Sequence, residues 1–251
     1  LVEERRNSKG EDFFTRMCHA KDEDGKGWSD AEIVVHFNFM MMAARDTTTS
    51  ALTTMVWAIT EHPEWQDRLL AEVAALPKGP MTSEIADQMP LTEMVFKEAL
   101  RLVPPVPLFP RVALRDFEWN DVKIPAGYGT TVNVTMVMRS PPHCTNPDQF
   151  DPDRFSTERA EDRSHRFAWV PFGGGAHKCI GMHFATMQVK GLMRALLDGH
   201  RLERTTTGPV DWKRLPTARP KGGLPVKRVP LQAACYCHAT KGKVTIYVKA
   251  P

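Results

Sequence analysis

The chain lacks any apolar run long enough to cross a bilayer. A spanning helix needs about 20 such residues, and the most apolar stretch, 33–44, is interrupted by His36 and Asn38. Charge of one sign is also missing. The 33 Lys and Arg stand against 30 Asp and Glu, a net charge of +3, which is too small to argue for nucleic acid as a partner. Cysteine is scarce: five, an odd number, fall irregularly at Cys18, Cys144, Cys179, Cys235 and Cys237. That is no disulfide framework, and it favours a reducing, cytoplasmic setting. Internal repeats and low-complexity tracts are absent, and no secretory signal is visible. The chain opens on Leu-Val-Glu-Glu-Arg-Arg without a methionine, inside a helical pattern. The natural N-terminus is therefore expected upstream, where a membrane anchor stays open as an alternative.

What is present suffices for a sizeable core: 251 residues, 42% of them apolar. A helical stretch is expected over 1–20, then a turn over 21–27. Ser29 and Glu32 have capping-box spacing, and a helical pattern of about thirty residues runs from them to Pro63, where proline stops or restarts it. Further helices are expected over 64–76 and 91–102. The texture turns β-like over 112–138, around an Asn-Asp turn at 120–121. An irregular, proline-rich stretch follows over 141–164, then a helix from His183 to Leu197 and short strands to Leu231.

Just before that last helix lies Phe172-Gly-Gly-Gly-Ala-His-Lys-Cys-Ile-Gly181. Gly173, Gly175 and Gly181 allow backbone conformations and close approaches that a Cβ forbids. His177, Lys178 and the helix N-terminus would each favour a negative sulfur at Cys179. A lone cysteine among glycines is, by itself, more often inert. The whole segment, however, resembles the haem-ligand loop of the cytochrome P450 superfamily, F-x-x-G-x-[R/H]-x-C-x-G, where a cysteine thiolate is the axial ligand of iron.

Other motifs support the resemblance. Met40, Ala43, Ala44 and Thr47 share one face of the long helix at i, i+3, i+4 and i+7. Four hydroxyl residues in a row after Asp46 suit a helix interior poorly. An exposed polar face with back-bonded threonines is the plain alternative. The segment Ala43-Ala-Arg-Asp-Thr-Thr is similar to the family's oxygen-activation motif, with Ala44 in place of the usual glycine. The resemblance implies that Thr47 hydrogen-bonds iron-bound oxygen and that Asp46 belongs to the proton route. Glu98 and Arg101, at i and i+3, are alone only a surface ion pair worth about 0–1 kcal/mol. With the proline-rich exit after them they resemble the family's E-x-x-R helix, which implies a buried structural triad with Arg154. Arg111 matches a haem-propionate partner. His177 stands where most members carry arginine, as in the sterol-demethylase-like branch, and makes a weaker, pH-sensitive anion partner than a guanidinium. Phe39, Met40, Val106, Leu108 and Phe109 correspond to substrate-pocket positions.

The fold implied is mainly α with small β-sheets (α+β), the cytochrome P450 fold from its long oxygen-binding helix onward. Residues 1–231 would be the C-terminal part of one such domain, with 232–251 a divergent tail. The implied cofactors are haem b and O2, with electrons ultimately from NAD(P)H through a ferredoxin or a flavoprotein reductase. The implied substrate is an apolar small molecule of the sterol, fatty acid, terpene or xenobiotic class, and the chain alone is expected to be inactive. Two alternatives stay open: a haem-binding remnant without turnover, and a zinc or redox site on Cys235 and Cys237. For 232–251 a terminal β-hairpin with incidental cysteines is preferred.

Overall fold

The computed structural model describes residues 1–231 in full, together with the backbone of 236–240 and 243–247. The chain forms two compact units, Leu1–Ser50 and Ala51–Pro251. The first contains α1 (Val2–Arg6), α2 (Phe13–His19) and the first part of α3 (Asp30–Glu61). The mostly helical stretch expected over 1–20 is thus two short helices with a break between them. Ser8 Oγ takes the amide of Gly10 at 3.1 Å, and Asp12 caps α2 by accepting from Thr15 N at 3.1 Å. Short polar side chains have outcompeted the helix for its own donors. The capping box forms as the spacing predicts: Ser29 N donates to Glu32 Oε2 at 2.8 Å, and Glu32 N to Ser29 Oγ at 3.3 Å. Val2, Cys18 and Ile33 make a small core, flanked by Phe14 and Trp28.

The second unit holds the rest of α3, then α4 (Pro63–Ala75), α5 (Ser83–Asp87) and α6 (Pro90–Leu102). There follow β1 (Leu108–Val112), β2 (Phe117–Trp119), β3 (Val122–Ile124), β4 (Gly129–Asn133) and the one-turn helix α7 (Val134–Val137). Next come α8 (Met182–Leu197), β5 (His200–Arg204), β6 (Trp212–Lys213), β7 (Arg219–Pro220) and β8 (Val226–Pro230). Strands β9 (Tyr236–Thr240) and β10 (Lys243–Tyr247) pair as an antiparallel hairpin. The other pairs, also antiparallel, are β1 with β4, β2 with β3, β5 with β8 and β6 with β7.

The β-like texture over 112–138 resolves differently from the expectation. Strand β1 begins earlier, at Leu108, and the stretch ends in α7, because Asn133 Oδ1 accepts from Met136 N at 3.1 Å and caps a helical turn. The Asn120–Asp121 turn does form, with both residues at positive φ, as a two-residue hairpin requires. The short helix α5 carries no periodicity of its own, yet Thr82 caps it through Ile85 N at 3.4 Å.

The main core is built from α3, α4, α6 and α8, with Met55, Ile59, Leu69, Val95, Ala99, Val189 and Met193 all buried. Helix α6 has no capping oxygen at Met89, and Pro90 brings no N–H. Glu72 of α4 supplies the missing acceptor to Leu91 N (2.7 Å) and Thr92 N (3.0 Å). Among the described residues, no helix is long and apolar enough to cross a membrane. Leu69 is fully enclosed by this core, so Leu69→Ala should cost about 2–5 kcal/mol. The check is the midpoint of denaturant unfolding followed by circular dichroism, which should fall without loss of native helix content.

Candidate functional site

The cysteine loop is shaped by its backbone. Gly173 and Gly175 sit at φ +74° and +73°, conformations that L side chains rarely adopt. Residues 175–177 make a single 3-10 turn, and the chain folds back so that Cys179 N donates to Phe172 O at 2.9 Å. Helix α8 then starts with Ala185 N bonded to Gly181 O at 2.8 Å. Cys179 is a free, exposed thiol, whereas Cys18 and Cys144 are buried. Gly181 lies against the sulfur: a Cβ there would stand 3.7 Å from Cys179 Sγ.

Aromatic rings hold the loop. Phe109 of β1 packs on Gly173, where a Cβ would lie 3.7 Å from its ring, and Phe167 presses on Gly174, where a Cβ would lie 3.0 Å from its Cε1. Phe172 points into the main core and contacts Phe96 and Trp169, with centroids 6.5 and 5.9 Å apart. Phe109 therefore meets the cysteine loop, while Leu108 beside it is half-buried and Val106 exposed. Arg111 is exposed; its guanidinium donates to Pro110 O at 2.8 Å and lies 5.9 Å from the Phe109 centroid. His177 and Lys178 are exposed too.

Glu98, Arg101 and Arg154 come together, and all three are buried. Arg101 grips Glu98 through two parallel bonds, Nε to Oε2 at 2.6 Å and Nη2 to Oε1 at 2.8 Å. Arg154 Nε reaches the same carboxylate at 3.1 and 3.2 Å. The network is larger than the three residues legible in the sequence. Arg154 Nη1 also donates to Glu161 Oε2 at 2.7 Å, and Arg159 bonds both Glu161 and Asp151 at 2.6 Å. Glu161 accepts from Thr145 Oγ1 as well, at 2.7 Å. Cys144 Sγ lies 3.5 Å from Arg154 Nη1. Burial pushes that thiol's pKa up, and the nearby Arg101 and Arg154 only partly offset it. Glu161 and Arg159 sit in the charge-mixed, irregular stretch where no periodicity marks them.

Asp46 and Thr47 belong to the first unit, on α3, with Ala43, Ala44, Phe39 and Met40. The helix runs unbroken through Ala44. Thr47 Oγ1 donates to Ala43 O at 2.8 Å, and Thr49 Oγ1 to Arg45 O at 2.8 Å, so the back-bonded geometry weighed above is present. Phe39 is exposed and Met40 half-buried. Among the described residues no cluster of three or more His, Cys, Asp or Glu could hold a metal ion; the alternative on Cys235 and Cys237 falls outside the described side chains. A cavity of about 510 Å³, lined by residues including Thr60, Gln66, Arg201 and Arg204, contains none of these site residues.

The donor set suits a haem rather than a caged ion. It offers one accessible sulfur, a glycine surface beside it that a Cβ would fill, and exposed cations suited to carboxylates. The family comparison agrees. The Cytochrome P450 family model matches residues 2–224, and the chain belongs to that family. It is 43% identical over 202 residues to cytochrome P450 136 of Mycobacterium tuberculosis, covering 80% of this chain and 41% of that protein. It is 35% identical over 240 residues to human cytochrome P450 4F11, covering 93% and 45%. A solved structure of retinoic-acid-bound cyanobacterial CYP120A1 superposes with a TM-score of 0.85 at 27% identity, over 92% of this chain and 54% of that one. The chain thus spans about half the length of the relatives it matches, and its fold is the cytochrome P450 fold of mixed helix and small antiparallel sheets.

Glu161 gives a pH prediction. Partial burial pushes its carboxyl up, but hydrogen bonds from Arg159, Thr145 and Arg154 outweigh that and bring the pKa down to about 2 from an ordinary 4.5. A carboxyl depressed on folding contributes stability that is complete above its unfolded pKa and is lost as pH falls through the folded value. Stability should therefore decline from about pH 4.5 towards pH 2. Glu161→Gln should be less stable at neutral pH, with a shallower decline across that window, as read by denaturant melts at a series of pH values.

Proposed function

We propose that residues 1–231 are the C-terminal part of a single cytochrome P450 domain, with 232–251 following as a tail, and that Cys179 is its haem ligand. The reaction is insertion of one atom of O2 into an apolar small molecule, of the sterol, fatty acid, terpene or xenobiotic class. Electrons come from a ferredoxin or a flavoprotein reductase, and ultimately from NAD(P)H. The observation that carries this reading is the cysteine loop: an exposed free thiol, its amide bonded to Phe172 O, on a glycine-built turn at the start of α8. The chain's short span relative to its family supports the partial-domain reading.

Haem b, when bound, supplies oxygen activation, and thiolate ligation favours O–O cleavage. The rest falls to this chain. Gly173, Gly175 and Gly181 let the macrocycle approach the sulfur, and Phe172 stiffens the loop against the core. Arg111 and His177 pair with its carboxylates, and His177 gives the histidine form of the loop, as in the sterol-demethylase-like branch. Ala43 and Ala44 leave room beside α3. Thr47 already donates its one proton to Ala43 O, so its lone pairs take a hydrogen bond there. Asp46 belongs to the route that delivers protons from solvent. Phe39, Met40, Val106, Leu108 and Phe109 present apolar surface to the substrate. Glu98, Arg101 and Arg154 hold the scaffold and touch no reactant.

In the haem-loaded protein, the ferrous–CO complex should show the red-shifted Soret band of thiolate ligation, and Cys179→His should lose it. Survival of that band in the variant would falsify the ligand assignment. In a full-length parent containing this chain, Thr47→Ala should keep its haem yet divert reducing equivalents to peroxide, measured as peroxide formed per reduced cofactor consumed. Unchanged coupling in Thr47→Ala would take α3 out of the mechanism.

A further inference from the structure

Two neighbouring residues of α6 hold the segment that leads into the cysteine loop. Glu98 acts through Arg154 and Glu161. Lys97 uses a separate route that shares no side chain with that network. Its ammonium donates to Asp162 Oδ2 at 3.1 Å and stands 5.7 Å from the ring centroids of both Phe155 and Trp169. Its own carbonyl accepts the Trp169 indole N–H at 3.1 Å. Trp169 meets Phe172 edge-on, centroids 5.9 Å apart, and Phe172 O accepts the Cys179 amide at 2.9 Å.

The surroundings argue against an ordinary surface lysine. Its helical neighbour Glu93 is 3.9 Å away but is bonded more closely, at 2.7 Å, by the buried Lys190. Lys97 is only 23% exposed and Asp162 12%. An ammonium between two ring faces and one shielded carboxylate is attracted by all three at once. Every group it touches lies on the stretch between Arg154 and the cysteine loop, or on its own helix.

We propose that Lys97 is a positioning residue for Cys179. By fastening Asp162 and Trp169 to α6 it fixes the orientation of Phe172, and the Phe172 carbonyl fixes the amide, and so the direction, of the cysteine. The inference rests on the reading of Cys179 as the haem ligand.

The test compares ferrous–CO spectra of the haem-loaded parent with Lys97→Met, Lys97→Arg, Trp169→Phe and Cys179→His, alongside far-UV circular dichroism melts. Lys97→Met should keep the parent's helix content and melting temperature but lose the thiolate-type band several-fold faster on standing. Lys97→Arg should restore the parent's rate, since a guanidinium can bond Asp162 and stack on the same rings. Trp169→Phe keeps a ring but drops the N–H, and should behave like Lys97→Met; it carries the test if Lys97→Met does not fold. A parent-like rate of band loss in Lys97→Met, or in Trp169→Phe where that variant carries the test, overturns the proposal. So does a loss that only tracks a lowered melting temperature and is not rescued by arginine. If the band disappears in Cys179→His but is unaffected in Lys97→Met, only the present inference fails. If it survives Cys179→His, the ligand assignment fails and this inference with it.

Discussion

A carboxylate shut away from water must have its charge and its lone pairs met by the protein, and Glu98 is fully buried. Two guanidiniums meet it, from Arg101 on the same helix and from Arg154 well along the chain. Two cations on one anion leave an excess, and Glu161 absorbs it from the far side of Arg154. Arg159 then closes the arrangement by joining Glu161 to Asp151, whose amide returns to Glu98 Oε1 at 2.8 Å. Three carboxylates and three guanidiniums balance. Removing one partner from such a set strands a buried charge, at a cost of about 3–5 kcal/mol. The network therefore fixes where the irregular stretch from Thr145 to Glu161 lies against α6.

That stretch has almost no regular secondary structure, yet it delivers the chain to the cysteine loop. Irregular backbone inside a protein needs side-chain partners in place of a ladder, and here arginines supply them. Arg101 donates to the carbonyls of Pro147 and Gln149, and Arg154 to that of Thr145. Beyond Glu161 the same task passes to aromatic contact: Phe167 on Gly174, Phe109 on Gly173, and Phe172 in the core. These neighbours restrain the loop. Its glycines give it shape, and the rings remove the freedom that glycine would otherwise leave.

Much of this was legible in the residues. The Ser29–Glu32 box, the proline at position 63 and the glycine run around Cys179 are local signals, and each marks what the structure contains. The Glu98–Arg101 spacing put both on one helix face, though only the family resemblance pointed to Arg154. Glu161, Arg159 and Trp169 were not legible because their own stretch has no period, and Lys97, on a periodic helix, because its partners Asp162 and Trp169 lie 65 and 72 residues away. The break at Asn7–Asp12 was missed for a related reason: side-chain caps from Ser8 and Asp12 overrode a helical pattern. Helix α7 began where Asn133 could cap, inside a run whose β-branched residues suggested a strand.

The long helix shows how one substitution changes the local physics. Where the family motif has glycine this chain has Ala44, and α3 runs as an unbroken helix of 32 residues. Alanine is the best helix former and glycine among the worst, so the regular ladder is favoured here over a local opening. A regular helix has no spare backbone carbonyl at this point, because each is taken by the amide four residues on. Thr47 nonetheless finds a second lone pair on Ala43 O and donates to it. A hydroxyl has a single proton, so while that bond stands Thr47 can only accept. Any group hydrogen-bonded to its oxygen must bring the proton itself. The unbroken helix at Ala44 and the bond from Thr47 to Ala43 O thus belong to one regular turn, in which the hydroxyl has only its lone pairs left to offer.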